Sequence, residues 1–293
     1  MNLSGIIAAG CALGLAAATA GCLGDRRPPL AAAAQDGDLA ALRRAIAAGE
    51  PVDEPVALRT LYSPKNPPMR TPLQLAAVWS RAEAVRVLLA AGARPDRTEV
   101  RSQKRTALHL ALEYADDETV GALVEGGARL RAPNRRGETP LHYAALFDRP
   151  EPARWLLELG AQVDERDEFG YTALHLAADR GSLRTAEVLI DSGAGVNLRG
   201  RSNIAPLHTA AQYGDVAMAS LLLSAGARVD ARDREGWTAL HFAAARGDAA
   251  TVALLLEHGA RTDRRERRGQ TALDLARAEG ADATAALLDS TAP

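Results

Sequence analysis

Cysteine is nearly absent from this chain. Its 293 residues include two, Cys11 and Cys22, both within the first 22 positions. The rest of the chain can therefore form no disulfide and support no thiolate chemistry. Lysine is as scarce: Lys65 and Lys104 are the two, so 33 of the 35 basic residues are arginine. Arginine offers a planar fork suited to carboxylate or phosphate, where lysine offers a point charge. Aromatic residues make up 4% of the chain. The formal net charge of −2 gives no global attraction to nucleic acid or to an anionic membrane, and no nucleic-acid partner is expected. No Gly-x-Ser-x-Gly occurs, and no strand is predicted from which a glycine-rich phosphate loop could follow. No residue constellation supports an enzyme, and neither cofactor nor metal is expected.

What is present is a returning tetrapeptide. Thr139-Pro140-Leu141-His142 comes back as Thr172-Ala173-Leu174-His175, Ala205-Pro206-Leu207-His208 and Thr238-Ala239-Leu240-His241, each 33 residues after the last. Thr106-Ala107-Leu108-His109 and Thr271-Ala272-Leu273-Asp274 extend the period at either end, and Thr71-Pro72-Leu73-Gln74 lies 35 residues further back. A glycine stands 21 residues after each start, at Gly92, Gly127, Gly160, Gly193, Gly226 and Gly259; the same offset from Pro28 reaches Gly49. Eight copies result, starting at 28, 71, 106, 139, 172, 205, 238 and 271 and ending near 289. A period of this length marks stacked supersecondary units that cannot bury their apolar faces alone.

Each copy has a physical reading. Thr then Pro is a helix N-cap followed by the first helical position. Leu174, Ala177 and Ala178 line one face of a first helix, and Gly181 ends it. Val188, Leu189 and Ile190 make the apolar stripe of a second helix, and Gly193 supplies a left-handed C-terminal position. A polar stretch, 197–203, crosses to the next copy. The Thr-Pro-Leu-His-x-Ala-Ala core with its trailing Gly-Ala resembles the ankyrin repeat. That resemblance implies an all-α solenoid of about eight helix-turn-helix units joined by β-hairpin-like fingers, which binds proteins through its finger tips and the concave face of its first helices. The finger before Ala205 departs from the pattern, with Asn203 where Gly is expected. Asn tolerates left-handed geometry, so a distorted finger is expected there, not a missing one.

The period disposes of a tempting constellation. His109, His142, His175, His208 and His241 are potential bases or metal ligands, yet they share one offset on successive units. Stacked helices sit about 8–10 Å apart and a zinc–nitrogen bond is about 2 Å, so neighbouring copies cannot converge on one metal. The resemblance implies that each His ties its own Thr to the neighbouring finger. The acidic runs 116–118 and 164–168 read as solvated turns.

The same frame locates scarce residues. Trp79, Tyr114, Phe147 and Tyr213 share the position eight after the copy start; Tyr171 and Trp237 share the one just before it; Phe169 lies two residues earlier on a finger. These seven of 11 aromatics are the expected partner-binding residues, since aromatics and arginine dominate interface hot spots. The alternative is that the rings pack half-buried against the next copy. Tyr143, Trp155 and Phe242 fall on packing positions. The last finger, 261–268, carries five arginines against Asp263 and Glu266, either as solvated turn residues or as a patch for an acidic partner.

Two stretches break the period. Residues 50–70 hold five prolines, which forbid regular helix, and read as a surface insertion or as a binding loop carrying Leu61 and Tyr62. Residues 1–24 read as a targeting segment: a lipoprotein signal with Cys22 as the acylated residue, an ordinary cleaved signal, or an uncleaved anchor. Arg26 and Arg27 after it and no basic residue before it weigh against export under the positive-inside rule. The expectation is a monomeric, non-catalytic protein-binding module, bacterial and exported to the cell envelope with a membrane link. Its alternatives are a regulatory scaffold anchored at the cytoplasmic face and a periplasmic inhibitor, chaperone or immunity-type protein.

Overall fold

The computed structural model describes residues 28–57 and 68–290. Cys22 and the rest of the targeting segment, and Leu61 and Tyr62, lie outside the described residues. Among the described residues sixteen α-helices run in eight antiparallel pairs. They are α1 (Pro29–Asp36) and α2 (Leu39–Ala47), α3 (Pro72–Val78) and α4 (Ala82–Ala90), α5 (Ala107–Tyr114) and α6 (Asp117–Glu125), and α7 (Pro140–Leu146) and α8 (Pro150–Glu158). There follow α9 (Ala173–Arg180) and α10 (Leu183–Asp191), α11 (Pro206–Tyr213) and α12 (Val216–Ser224), α13 (Ala239–Arg246) and α14 (Ala249–Glu257), and α15 (Ala272–Ala278) and α16 (Asp282–Ser290). First helices stack on first helices and second on second, which makes the molecule an all-α repeat solenoid.

The core is two rows. The leucine two residues after each of the first seven starts (Leu30, Leu73, Leu108, Leu141, Leu174, Leu207, Leu240) is at most 3% exposed, and Leu88, Leu123, Leu156, Leu189, Leu222, Leu255 and Leu288 form the matching row on the second helices. Each buried leucine contributes about 2–3 kcal/mol of transfer free energy. Alanines such as Ala177 and Ala178, both fully buried, let the helix axes approach.

Backbone geometry follows the glycine ruler. Gly49, Gly92, Gly127, Gly160, Gly193, Gly226 and Gly259 all have φ between +81° and +94°, a region costly for side-chain-bearing residues. The distorted finger is as expected. Asn203 has φ 61° and Ser202 φ 58° within a 3-10 turn over Arg201–Asn203, and the closing bond is kept, Gly200 N–H donating to the Ile204 carbonyl at 2.9 Å.

Three features differ from the sequence reading. Residues 50–70 do contain strands: β1 (Val56–Ala57) pairs antiparallel with β2 (Met69–Arg70), and Met69 bridges Val100 on the next finger. Val56 reaches back to Ala31 and Leu75 as a small satellite core, which is why two residues suffice to form a strand. The run 116–118 is a helix start rather than a solvated turn, because Asp116 caps α6 by accepting from Thr119 N–H at 2.9 Å. In the run 164–168, Asp167 is 8% exposed, and its carboxylate accepts from Phe169 and Tyr171 N–H to shape the finger. Of the three aromatics assigned to packing, Tyr143 is buried, whereas Trp155 and Phe242 are half-buried.

Candidate functional site

Finger placement begins with the histidines. Nδ1 of His142 accepts from Thr139 N–H at 3.1 Å and lies 2.9 Å from its Oγ1; Nε2 lies 3.1 Å from the Tyr171 carbonyl of the next finger. A backbone N–H can only donate, so Nδ1 is bare and the proton sits on Nε2, facing the carbonyl. His109 and His175 repeat the arrangement, reaching the Glu138 and Ile204 carbonyls at 3.1 Å. Gln74 does the same chemistry in its copy, accepting from Thr71 N–H at 2.9 Å and donating to the Arg97 carbonyl at 2.7 Å. Burial, the largest effect, lowers the pKa of all five rings, to about 4 for His109 and His175.

Two histidines depart from the implied role. Ala205 has no hydroxyl, so His208 is held by Ala205 N–H alone, and its Nε2 turns to the Ala231 carbonyl at 2.9 Å. His241 keeps Thr238, but its buried Nε2, near the backbone of Gln270 and Arg264, has no partner at hydrogen-bond geometry among the described residues. In the last copy Asp274 replaces His, accepting from Thr271 N–H and Oγ1–H without anything to offer a further finger. No cluster of three or more His, Cys, Asp or Glu that could hold a metal occurs among the described residues.

Fingers are then tied to one another. Arg135 N–H donates to the Gln103 carbonyl, Glu168 to Arg136, Arg234 to Ser202 and Arg267 to Glu235, at 2.7–3.0 Å. Arg166 and Arg232, six residues before their copy starts, each span two fingers. Arg166 donates to the Gly170 and Arg199 carbonyls at 3.0 and 2.8 Å, Arg232 to those of Gly236 and Arg265 at 3.2 and 2.6 Å. Arg166 makes both bonds from Nη1, whereas Arg232 uses Nε and Nη2, a spread of donors that a lysine's single nitrogen would not match.

The seven aromatics separate into groups on this frame. Tyr114 and Tyr213, each the last residue of a first helix, are 41% and 44% exposed. Trp79, at the C-cap of α3, is half-buried. Phe147 is half-buried against the core, 5.9 Å from the Tyr143 ring. Trp237 lies tilted 5.0 Å from Phe242, and Tyr171 lies 5.4 Å from His175. Phe169 is 6.5 Å from Tyr171 and carries the Arg201 guanidinium 5.6 Å above its ring, within cation–π range. Tyr171 also lies across Gly200, where an added Cβ would come within 2.2 Å of the ring.

Two further groups escaped sequence reasoning. Glu99, with no exposed side-chain surface, is gripped by Arg105 Nε at 2.8 Å and Arg70 Nε at 2.8 Å, and Arg105 continues to Glu113 at 2.5 Å. Burial opposes the charge, but Arg105 and Arg70 together hold the Glu99 carboxyl below its ordinary range. Arg105, just before its copy start, and Glu113, seven residues after it, neutralise each other. Burial and neighbouring Glu113 push the Tyr114 phenol up to about 12. The second group is a cleft of about 500 Å3 between the ends of α9 and α11. Asp179, Arg180 and Gly181 line one wall and Tyr213, Asp215 and Val216 the other. Burial and the Asp179 carboxylate raise the Tyr213 phenol.

No helix among the described residues is long and apolar enough to cross a membrane. Against known families, residues 95–167, 160–233 and 207–292 match the description "Ankyrin repeats (3 copies)", and residues 69–99 match "Ankyrin repeat". No curated protein matches the chain.

Proposed function

The chain belongs to the ankyrin-repeat family, whose members are generally non-catalytic protein–protein interaction modules, and from that premise we propose that it holds a protein partner in the groove along its first helices. The carrying observation is the pair Tyr114 and Tyr213, exposed at the same position of their copies in a chain that has few aromatics to expose. Tyrosine brings large contact area with two side-chain torsions to immobilise, and a preformed stack loses little entropy on binding. The cleft beside Tyr213 gives that ring a concave neighbour. Trp79, Phe147, Phe169, Tyr171 and Trp237 extend the same surface with their exposed edges. The function is capture, without chemistry on the partner.

The test is photo-crosslinking of the full chain in its own cell extract, with partners identified by mass spectrometry. Tyr114→Ala combined with Tyr213→Ala is expected to lose the enriched proteins while the melting temperature stays nearly unchanged. Unchanged capture by the double variant overturns the proposal. The uncharged segment 3–24 supports a second element of the reading: residence at the cell envelope through a lipid on Cys22. Radiolabelled palmitate entering the wild type and not Cys22→Ala is the expected result; equal labelling, or none in either, contradicts it.

A further inference from the structure

The molecule is electrically two-sided although its net charge is close to zero. The connecting fingers at 93–105, 128–138, 161–171, 194–204, 227–237 and 260–270 hold 20 Lys and Arg against 12 Asp and Glu. The helix pairs of the same copies, from 106 to 290, hold six against 18. Such separation puts a positive potential over the finger side and a negative one over the helices, strong enough to steer an approaching charge within a Debye length.

Much of the finger charge is already used. Arg267 pairs with Glu235 at 3.3 Å, Arg261 with Asp263 at 2.6 Å, and Arg131 with Glu165 at 2.8 Å. Arg201, Arg234 and Arg268 are different. They stand on the turns of three successive fingers, Arg201 and Arg234 four residues before the next copy start and Arg268 three, are exposed, and among the described residues have no carboxylate at ion-pairing distance. Their fingers are held in register by the Arg234-to-Ser202 and Arg267-to-Glu235 backbone bonds and by the Arg232 bridge. Beside the row lie the Phe169 ring, on which Arg201 rests, and Trp237.

We propose that this row is an anion-reading edge of the groove and that its occupant is an extended acidic segment of a protein partner, one carboxylate to each finger. The proposal rests on the protein-binding reading above and names the chemistry of the partner. Neighbouring units stack about 10 Å apart, and an extended chain rises about 3.3 Å per residue, so every third residue comes opposite the next arginine. The segment therefore carries Asp or Glu at i, i+3 and i+6, with apolar residues between them meeting Phe169 and Trp237. A nucleic acid fits less well: the finger at 161–171, with four acids and one base, interrupts the positive edge that a phosphate backbone would follow.

The experiment is fluorescence anisotropy with the full chain and a labelled dodecapeptide bearing Glu at every third position among Leu, Ala and Ser. Controls are a clustered-Glu peptide of identical composition, the Lys counterpart, and single-stranded DNA of equal charge. Binding of the spaced peptide is expected, weakening about tenfold or more between about 20 mM and about 200 mM salt. It should be lost in Arg201→Glu/Arg234→Glu/Arg268→Glu and weakened in the corresponding triple alanine variant. It should persist in Arg154→Glu/Arg184→Glu on the helix side. Equal binding of the clustered peptide, tighter binding of the DNA, or retention in the triple glutamate variant overturns the proposal. No peptide binding in a protein whose Tyr114/Tyr213 variant still loses its captured partners would reject the acidic chemistry alone and leave the protein-binding reading standing.

Discussion

At the scale of single residues, the buried histidines make acid a specific stress. In the folded chain their rings stay neutral, because protonating Nδ1 would set it against a Thr N–H that can only donate. Unfolded histidine titrates near 6.5, and folded His109 and His175 near 4. Between these values the unfolded state binds more protons. The stability the rings contribute is complete above about pH 6.5 and is lost as pH falls toward about 4. The urea midpoint is expected to fall steadily through this window, and His142→Gln, the residue nature places in the equivalent position at Gln74, should flatten that slope by about one proton. A midpoint that does not move between pH 6.5 and pH 5, where carboxylates contribute little, would contradict the assignment. A second residue-scale case is Lys104, with φ 58° where most fingers carry glycine. Left-handed backbone costs a side-chain-bearing residue about 1–2 kcal/mol, partly offset by glycine's looser unfolded state, so Lys104→Gly should stabilise by about 0.5–1 kcal/mol in chemical denaturation.

At the scale of elements, the helices were legible in the sequence and the fingers only in outline. Thr, Leu and the small residues at fixed offsets dictate where each first helix starts and which face it buries, and glycine at offset 21 dictates where each second helix ends. Asn203 could be read as a left-handed finger residue from its chemistry alone. The strands β1 and β2 could not, because their register depends on contacts from Val56 to Ala31 and Leu75, which are distant in sequence. Nor could the Arg70–Glu99–Arg105–Glu113 network, whose members lie up to 43 positions apart. Legibility of the candidate site was likewise partial. The frame named the aromatic positions, but which rings face solvent depends on neighbours: Phe147 leans on Tyr143, whereas Tyr213 borders a cleft. The charge network yields an element-scale prediction. Glu99→Gln keeps the shape but leaves two buried guanidinium groups without their shared carboxylate. Removing one member of a buried ion pair costs about 3–5 kcal/mol. Loss of that order in denaturant titration is expected, with local amide exchange rising in β2; a change below about 1 kcal/mol would show the network to be dispensable.

At the scale of the whole molecule, a solenoid is close to one-dimensional, so its stability is set copy by copy and interface by interface. The polar ties between copies are uneven along the stack. From Gln74 to His175 every copy reaches the next finger from its Thr-linked side chain. From copy 205 onward the device weakens. Ala205 lacks the hydroxyl, so His208 reaches Ala231 on the next finger without a threonine behind it, and the His241 Nε2 is buried without a partner at hydrogen-bond geometry among the described residues. Buried polar atoms without hydrogen-bond partners among the described residues occur in both stretches, Thr119 Oγ1 and Arg180 Nε in the central copies and Arg264 Nε and Thr284 Oγ1 in the C-terminal ones. It is therefore the lost threonine hydroxyl and the untied His241, at about 1–3 kcal/mol for an unpaired buried group, that hold the C-terminal copies less firmly to their neighbours. Hydrogen exchange followed by mass spectrometry should find residues 205–290 opening at lower free energy than 106–193, as a sub-global unit preceding complete unfolding. Ala205→Thr tests the cause directly. The backbone of Ala205, with φ −101° and ψ 161°, nearly matches that of Thr172 at −98° and 170°, so threonine fits without strain. Its hydroxyl should bond His208 Nδ1 and add about 1 kcal/mol, the ordinary net value of one hydrogen bond. Because coupling passes only through neighbouring copies, the gain in protection should appear at 205–290 and leave 106–193 unaltered. Uniform protection along the wild-type chain, or an Ala205→Thr gain spread over all copies, would show that the stack unfolds as one unit and that the weakened ties do not partition it.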